Sequence, residues 1–170
     1  LQDGVRKRLI EKSRFGATLS PAASYVLNFN AGDLQWYTVR VSDGVKTNLT
    51  AKLEVRFDDE SNDTPEPARA YGSAGWTSGD RSVLLNDKYD IWEIKPDGTE
   101  ARLVTGGQGR KNQIVYRYVR LDPEEKTLPT DKPFLVSALN DVTKGTGYYR
   151  VTPIAAVAPA AAKPAKGKVV

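Results

Sequence analysis

Two stretches of this chain carry the same order of strand, turn and strand, and this repetition limits the folds open to it. Residues 37–50 read YTVRVSDGVKTNLT, and residues 89–105 read YDIWEIKPDGTEARLVT. Each has an alternating apolar run, an Asp-Gly turn and a second run that closes on Leu-Thr or Leu-Val-Thr. In the second turn Pro96 presets φ, and Gly98 supplies a positive φ. The repetition predicts a unit of short antiparallel strands.

Further segments extend the pattern. PFLVSALN (133–140) matches SVLLN (82–86), and GYYRV (147–151) matches the YDIWEI run, so a third unit begins. VRKRLI (5–10) reads as a short strand after Asp3-Gly4. A repeat of roughly 40 residues with about four strands is typical of a propeller blade. We therefore predict an all-β chain, a β-propeller fragment of consecutive four-stranded antiparallel blades in an incomplete ring.

The predicted boundaries follow the repeats. They are a blade end at 1–12, a blade at 17–50, a blade at 72–105, a partial blade at 114–152, and an Ala/Pro/Lys-rich linker or inter-blade insertion at 153–170. Polar insertions at 54–72, 106–112 and 121–132 separate the units, and no stretch has a sustained helical period. A β-sandwich is the alternative for a turn-rich all-β chain, and it needs no repeat.

The composition excludes several chemistries. Cysteine and histidine are both absent, so no disulfide, no thiol chemistry and no zinc site of the usual Cys/His kind is possible. A Ser-His-Asp triad lacks its general base. We predict no cofactor and no metal. No apolar run approaches the roughly 18 residues of a membrane span, so no membrane partner is expected.

The N-terminus and the charge carry less information. The chain begins with Leu and contains no Met, so we expect an internal piece of a longer chain, from either the periplasm or the cytoplasm. Three of the 25 basic residues lie at 163–168, which leaves 22 basic and 21 acidic groups in residues 1–162. This balance is a weak electrostatic footprint, and no nucleic-acid partner is expected.

Longer stretches of residues 1–152 resemble a known family. RFDDESNDTPEPARAYGSAGWTSGDRSVLLNDKYDIWEIKPDG (56–98) and GRKNQIVYRYVRLDPEEK (109–126) resemble the β-propeller region of prolyl oligopeptidase family serine peptidases, in particular of large bacterial members. The most specific parts are TPEP, GWT, YDIWEI-PDG and RYVRLDPEE. They are structural and loop motifs, so they indicate a family and no reaction step.

The resemblance implies a role for the chain. In that family the propeller docks on an α/β-hydrolase domain, which carries the catalytic Ser, Asp and His, and limits access to peptides and short unfolded segments. This chain departs from the pattern because it has no His and no G-x-S-x-G elbow. No catalytic residue can be assigned to it, and the expected partners are the hydrolase domain of a parent chain and a peptide substrate.

One pair of carboxylates is a candidate substrate site. Aminodipeptidases of the family hold the N-terminal ammonium of the substrate with paired propeller glutamates, and Glu124-Glu125 is such a pair. Two carboxylates around an ammonium make strong charge-assisted hydrogen bonds. The LDPEEK stretch (121–126) reads equally as a plain turn with exposed charges.

Other polar groups have simpler explanations. The acidic loop, with Asp58, Asp59, Glu60, Asp63 and Glu66, does not match the EF-hand spacing and reads as solvated. A second group of residues could bind a substrate carboxylate or form structural ion pairs. It comprises Arg110, Lys111, Arg117 and Arg120. Placed on a strand, Arg117 and Arg120 would face opposite sides. The three tryptophans, Trp36, Trp76 and Trp92, are predicted to pack in the core.

The sequence therefore predicts a non-catalytic propeller segment that docks and gates a peptidase. The alternative is a propeller that serves as a protein-binding platform with no peptidase activity, and a sugar-binding or periplasmic assembly propeller is a third possibility. Two or three blades alone leave unpaired strand edges. We expect the isolated chain to be marginally stable or to associate.

Overall fold

The computed structural model, which describes residue 6 and residues 8–152, contains three antiparallel β-sheets. The first sheet has the order β1-β2-β3-β4, the second β5-β6-β7-β8 and the third β11-β10-β9. The strands are β1 (Ala17–Leu19), β2 (Tyr25–Asn30), β3 (Gln35–Arg40), β4 (Lys46–Asn48), β5 (Ser73–Trp76), β6 (Val83–Asn86), β7 (Ile91–Ile94), β8 (Ala101–Leu103), β9 (Ile114–Tyr118), β10 (Phe134–Asn140) and β11 (Thr146–Val151). The all-β prediction is confirmed.

Helical structure is confined to two short segments of the described residues. A 3-10 turn spans Ser78–Asp80, and the single-turn helix α1 spans Gln108–Asn112. The sequence predicted a polar insertion at 106–112, and α1 lies within it.

The two repeated turns join the last two strands of their sheets. The Asp43-Gly44 turn connects β3 to β4, and the Pro96-Asp97-Gly98 turn connects β7 to β8. Gly44 has φ of 82° and Gly98 has φ of 70°. These are left-handed conformations that glycine adopts without a steric cost. The positive φ predicted at Gly98 is confirmed, and the predicted turn at Asp43-Gly44 has the same glycine conformation.

The closing threonines of the two repeats make the same bonds. Thr50 Oγ1 accepts the backbone N–H of Trp36 at 3.1 Å, and Thr105 Oγ1 accepts the backbone N–H of Ile91 at 3.2 Å. In each case the threonine hydroxyl also donates to the side chain of the residue that precedes this N–H donor in the chain. Thr50 donates to Gln35 Oε1 and Thr105 to Asp90 Oδ1, both at 2.6 Å. The first two sheets therefore repeat in hydrogen bonding as well as in strand order.

The second sheet is covered on both faces. Val83 and Leu85 on β6 pack into a core shared with the first sheet, and Leu84 between them packs into a core shared with the third. All three side chains are fully buried. Strand alternation sends successive side chains to opposite faces, so the three sheets pack in sequence order, each on the next.

The tryptophans lie where the sequence placed them. Trp36 and Trp76 are buried in the core between the first and second sheets, and Trp92 packs against that core in a half-buried position. Tyr25 stacks on Trp76 with a centroid separation of 5.9 Å. These aromatic contacts fill the space between the two sheets.

Some predicted features differ or fall outside the described residues. Residues 8–10 form no strand, because a short run becomes a strand only when a neighbouring strand pairs with it. The segment 153–170, predicted as a linker or insertion, lies outside the described residues. The third sheet has three strands, and the sheets do not close into a ring within the part of the chain that the structure describes.

The loops divide between two ends of the sheets. We call the end that carries loops 20–24, 77–82 and 119–133 the first end. The opposite end, which carries loops 54–72 and 87–90 and the connection 104–113, is the second end. Contacts between loops of neighbouring sheets occur at both ends.

Candidate functional site

The first end is organised by a buried aspartate. Asp80 is 2% exposed and accepts the Ser20 hydroxyl at 2.5 Å, the Ala22 N–H at 3.1 Å and the Ser24 N–H at 3.2 Å. Its φ of 54° lies in the left-handed region, which Asp and Asn tolerate better than other non-glycine residues. The bonds tie the β5–β6 loop of the second sheet to the β1–β2 loop of the first.

A second polar network ties the same end to the third sheet. The Glu93 carboxylate accepts the Arg102 Nε–H at 2.7 Å and the Thr130 hydroxyl at 3.1 Å. Arg102 also donates to the Thr130 carbonyl at 3.1 Å. The Leu128 N–H donates to the Trp76 carbonyl at 2.7 Å. These bonds fix the long β9–β10 loop against the second sheet.

A shallow cleft of about 200 Å³ lies between these loops. Its lining residues are Thr77, Ser78, Arg81, Glu125, Thr127, Leu128, Pro129, Thr130, Asp131 and Lys132. The lining combines both signs of charge with hydroxyls and two apolar side chains.

The predicted glutamate pair lies in the loop that forms one side of this cleft. Glu124 is exposed and Glu125 is half-buried, and of the two only Glu125 lines the cleft. Asp122 closes the turn by accepting the Glu124 N–H at 2.9 Å on its side chain and the Glu125 N–H at 3.2 Å on its carbonyl. The LDPEEK turn therefore has the plain turn geometry of the alternative interpretation. Neither glutamate carboxylate has a hydrogen bond or ion pair within the described residues.

The acidic loop at the second end uses its carboxylates separately. Asp58 is buried against Arg56, Glu60 pairs with Arg110 at 3.3 Å, and Glu66 pairs with Arg14 at 3.0 Å. Asp59 accepts hydrogen bonds from Ser61, and these hold the pKa of the Asp59 carboxyl below its usual value. Among the described residues, no group of three or more potential ligand side chains could hold a metal ion.

The four basic residues have different surroundings. Arg110 is exposed and pairs with Glu60 and, at 3.6 Å, with the buried Asp87. Lys111 is exposed on α1. Arg120 lies beyond the end of β9, against the strand placement predicted for it, and donates to the Glu125 carbonyl at the first end. Arg117 lies on β9 and is half-buried.

The buried Asp90 positions α1, and sequence analysis did not single it out. Asp90 is 1% exposed, and its carboxylate accepts the N–H groups of Gly109 at 3.0 Å and Arg110 at 2.8 Å. A carboxylate at this position stabilises the first turn of a helix. The YDIWEI motif contains Asp90, but its helix partners lie about 20 residues later in the chain, beyond the reach of a local pattern.

Comparisons with known proteins identify no relative. No family model, no curated protein and no solved structure matches the chain. Among the described residues, no helix is long and apolar enough to cross a bilayer.

Proposed function

We propose that this chain is a segment of a β-propeller that docks and gates an α/β-hydrolase domain in a serine peptidase of the prolyl oligopeptidase type. The segment is non-catalytic. Its work is to hold loops at the entrance to a substrate path and to admit peptides and short unfolded segments.

One observation carries the propeller part of this proposal. The second sheet is packed on both faces, by the preceding sheet on one and by the following sheet on the other, through alternating residues of β6. A unit that cannot bury its own two faces and leans on its sequence neighbours is the building principle of propellers and other repeat folds. A sandwich buries one face of each sheet and leaves the other to solvent.

The peptidase part rests on the residues that resemble the family. YDIWEI-PDG forms β7 and its turn, and RYVRLDPEE runs from β9 into the loop at the first end. In this proposal Glu124 and Glu125 hold the ammonium of a peptide N-terminus. Their carboxylates have no internal partner in the described residues, which supports this role.

The gene that encodes the chain offers the sharpest test. A coding sequence that continues into a G-x-S-x-G elbow followed by Asp and His supports the proposal. A stop codon, or further sheet repeats with no elbow, contradicts it. As a second measurement, the purified chain should not turn over dipeptide or proline-containing chromogenic substrates, and genuine turnover would also contradict it.

The ammonium site has its own test. A peptide with a free N-terminus should bind the chain more tightly than the same peptide with an acetylated N-terminus. Glu125→Gln should reduce this preference, and Glu100→Gln, at a surface turn, should leave it unchanged. Equal binding of both peptides to the unaltered chain would exclude the site.

A propeller that serves only as a protein-binding platform is the second candidate. The third sheet favours it, because Leu139 and Tyr148 on its strands are 38% and 71% exposed. Exposed apolar side chains on a sheet suit a protein partner. The platform requires no hydrolase domain. The coding sequence therefore distinguishes the two candidates: a G-x-S-x-G elbow favours the peptidase, and its absence favours the platform.

A further inference from the structure

The cleft at the first end presents charged side chains of both signs. Arg81 lines it from the β5–β6 loop, and Glu125, Asp131 and Lys132 line it from the β9–β10 loop. All four are exposed or half-buried, so solvent and ligands reach them. Within the described residues, neither of the two cations lies at ion-pair distance from either of the two acids. The cleft therefore carries positive and negative groups at separate positions, and a ligand with both charges finds a partner for each.

Both loops that form the cleft are held by hydrogen bonds. The Asp80 carboxylate fixes the β5–β6 loop to the first sheet. The Thr130 hydroxyl donates to the Glu93 carboxylate at 3.1 Å and fixes the β9–β10 loop to the second sheet. Thr77 and Leu128 form a parallel bridge that joins the two loops directly. The backbone on both sides of the cleft is thus in place before a ligand arrives.

The loop that carries Arg81 also orients its guanidinium. Arg81 Nε–H donates to the Ser78 carbonyl at 3.1 Å. A guanidinium has five N–H donors, and the four on the two Nη atoms have no acceptor within the described residues. The Arg81 side chain is exposed and lines the cleft, so a ligand there reaches these donors. A carboxylate matches two of them in parallel hydrogen bonds.

The size of the cleft limits the length of such a ligand. Its volume of about 200 Å³ lies below the ~300–1,000 Å³ of pockets that take drug-sized molecules. An extended chain advances about 3.3–3.6 Å per residue, so a longer extended peptide cannot place both of its ends in one cleft of this size. A free dipeptide carries its ammonium and its carboxylate within about 7 Å of each other.

We propose that the cleft binds a free dipeptide, whose carboxylate is held by Arg81 and whose ammonium is held by Glu125. The inference rests on the ammonium role proposed above for Glu125, and it adds the residue that recognises the other end of the ligand. Arg81 makes the cleft select for length, because only a short peptide satisfies both charges at once. A bound dipeptide occupies the place of a longer peptide's N-terminus and competes with it.

The first arm of the test compares ligands on the unaltered chain. Alanyl-alanine, its C-terminal amide and its N-acetylated form are titrated while NMR records the arginine Nε–H resonances. The free dipeptide should shift the Arg81 resonance and bind about tenfold more tightly than either blocked form, because each block removes one charge-assisted contact. Equal binding of the dipeptide and its amide overturns the role of Arg81, and the ammonium site is then judged by the acetylated form alone. Equal binding of the dipeptide and its acetylated form overturns the ammonium site and the dipeptide assignment with it.

A longer peptide tests the length limit. Hexa-alanine with a free C-terminus should bind no more tightly than its amide, because its carboxylate lies beyond the cleft when its ammonium is at Glu125. A preference for the free acid as large as that of the dipeptide would overturn the two-ended fit.

The second arm uses variants. Arg81→Gln should reduce the binding of the dipeptide to the level of its amide and leave the binding of the amide unchanged. Arg150→Gln, at an exposed position on β11, is the matched control and should keep the full preference. A preference that survives in Arg81→Gln overturns the assignment. An equal loss in both variants overturns it as well, because the effect would then be one of net charge. The ligand comparisons on the unaltered chain decide the question even if a variant fails to fold.

Discussion

Asp80 accepts the hydroxyl hydrogen of Ser20 at 2.5 Å, although 60 positions separate the two residues in the chain. The bond joins the first sheet to the second. The Asp80 carboxylate also accepts hydrogen bonds from the backbone N–H groups of Ala22 and Ser24, which lie in the same loop as Ser20. One buried carboxylate thus fixes the relative position of two sheets at the first end.

Removal of this carboxylate should destabilise the chain. Asp80→Ala leaves the buried Ser20 hydroxyl and the N–H groups of Ala22 and Ser24 without this acceptor, and we expect a loss of about 3 kcal/mol in the free energy of unfolding. Asp80→Asn keeps one acceptor oxygen and the tolerance for a positive φ, so its loss should be about 1–2 kcal/mol. Urea denaturation measures both. Asp63→Asn, on the exposed acidic loop, is the control and should change stability by less than about 0.5 kcal/mol.

The equivalence of the two repeats can be tested at their closing threonines. Valine has the shape of threonine but lacks the hydroxyl that links Thr105 to Asp90 and to the Ile91 N–H. Thr105→Val and Thr50→Val should each cost about 1–2 kcal/mol in thermal or urea unfolding. Thr18→Val, at an exposed strand position, should cost almost nothing. A large effect at one threonine and none at the other would contradict the equivalence.

The contact between α1 and the β6–β7 turn leaves no room for a side chain. A Cβ on Gly109 would lie 2.7 Å from Asp90 Oδ1 and from the Tyr89 carbonyl, and 2.8 Å from the Ile114 carbonyl. Two of these atoms are backbone and cannot move aside without shifting a strand. Gly109→Ala should therefore lower the free energy of unfolding by about 2–3 kcal/mol.

A matched glycine controls for the effect of alanine itself. A Cβ on Gly147 in β11 would have its nearest neighbour at 3.9 Å, which is ordinary contact. Gly147→Ala should be neutral or slightly stabilising, because alanine reduces the freedom of the unfolded chain. Equal destabilisation by Gly109→Ala and Gly147→Ala in calorimetry would show that the close approach at α1 is absent.

The repeats and turns could be predicted from the sequence because they are local. Strand alternation, the Asp-Gly turns and the LDPEEK turn each depend on residues within a few positions of one another. The strand predicted at VRKRLI (5–10) depends on more than neighbouring residues. Its sequence carries strand propensity, but a strand also requires a partner, and residues 8–10 have none in the described structure.

The anchors between sheets could not be predicted for the same reason. Asp80 sits in a Ser-Gly-Asp stretch that reads as a plain turn, and its partners come from the loop at 20–24. Asp90 reads as one polar residue in an apolar strand, and its partners are on α1. A single sequence contains no signal that pairs such distant residues. For the candidate site, the sequence provided the two glutamates, and only the structure shows that Glu125 lines the cleft and Glu124 does not.

Stability should fall in acid partly through Asp97. The Thr99 hydroxyl and N–H donate to Asp97 Oδ1 at 2.6 and 3.0 Å and hold the pKa of the Asp97 carboxyl below its usual value. A lowered pKa in the folded state favours the ionised form. Its contribution is therefore present above the unfolded pKa of about 3.9 and is lost as the pH falls through the folded pKa.

The measurement is the free energy of unfolding across the acid range. In Asp97→Asn the group no longer titrates, so stability should fall less steeply below about pH 4 than in the unaltered chain. Thr99→Val should reduce the slope in the same direction, because it removes the hydroxyl that lowers the pKa. Identical slopes in all three proteins would rule out a contribution from this turn.

The third sheet should make the isolated chain associate. Strand β11 has no neighbour on its outer side within the described residues, and Tyr148 on this strand is 71% exposed. In the first two sheets the third strands, β3 and β7, pair on that side with the short strands β4 and β8. An uncovered edge with exposed aromatic side chains favours pairing with a second copy. Light scattering across a wide range of concentration should show an average mass that rises with concentration.

A charge on this sheet should oppose the association. Tyr148→Lys places an ammonium beside the open edge, a device that natural sheets use against edge pairing, so the variant should remain monomeric at higher concentrations than the unaltered chain. Leu121→Lys is the control, since Leu121 is 76% exposed but lies in a loop outside every strand. A sharp, concentration-independent melt of a monomer in the unaltered chain would contradict the prediction, because three sheets would then be stable with this edge open.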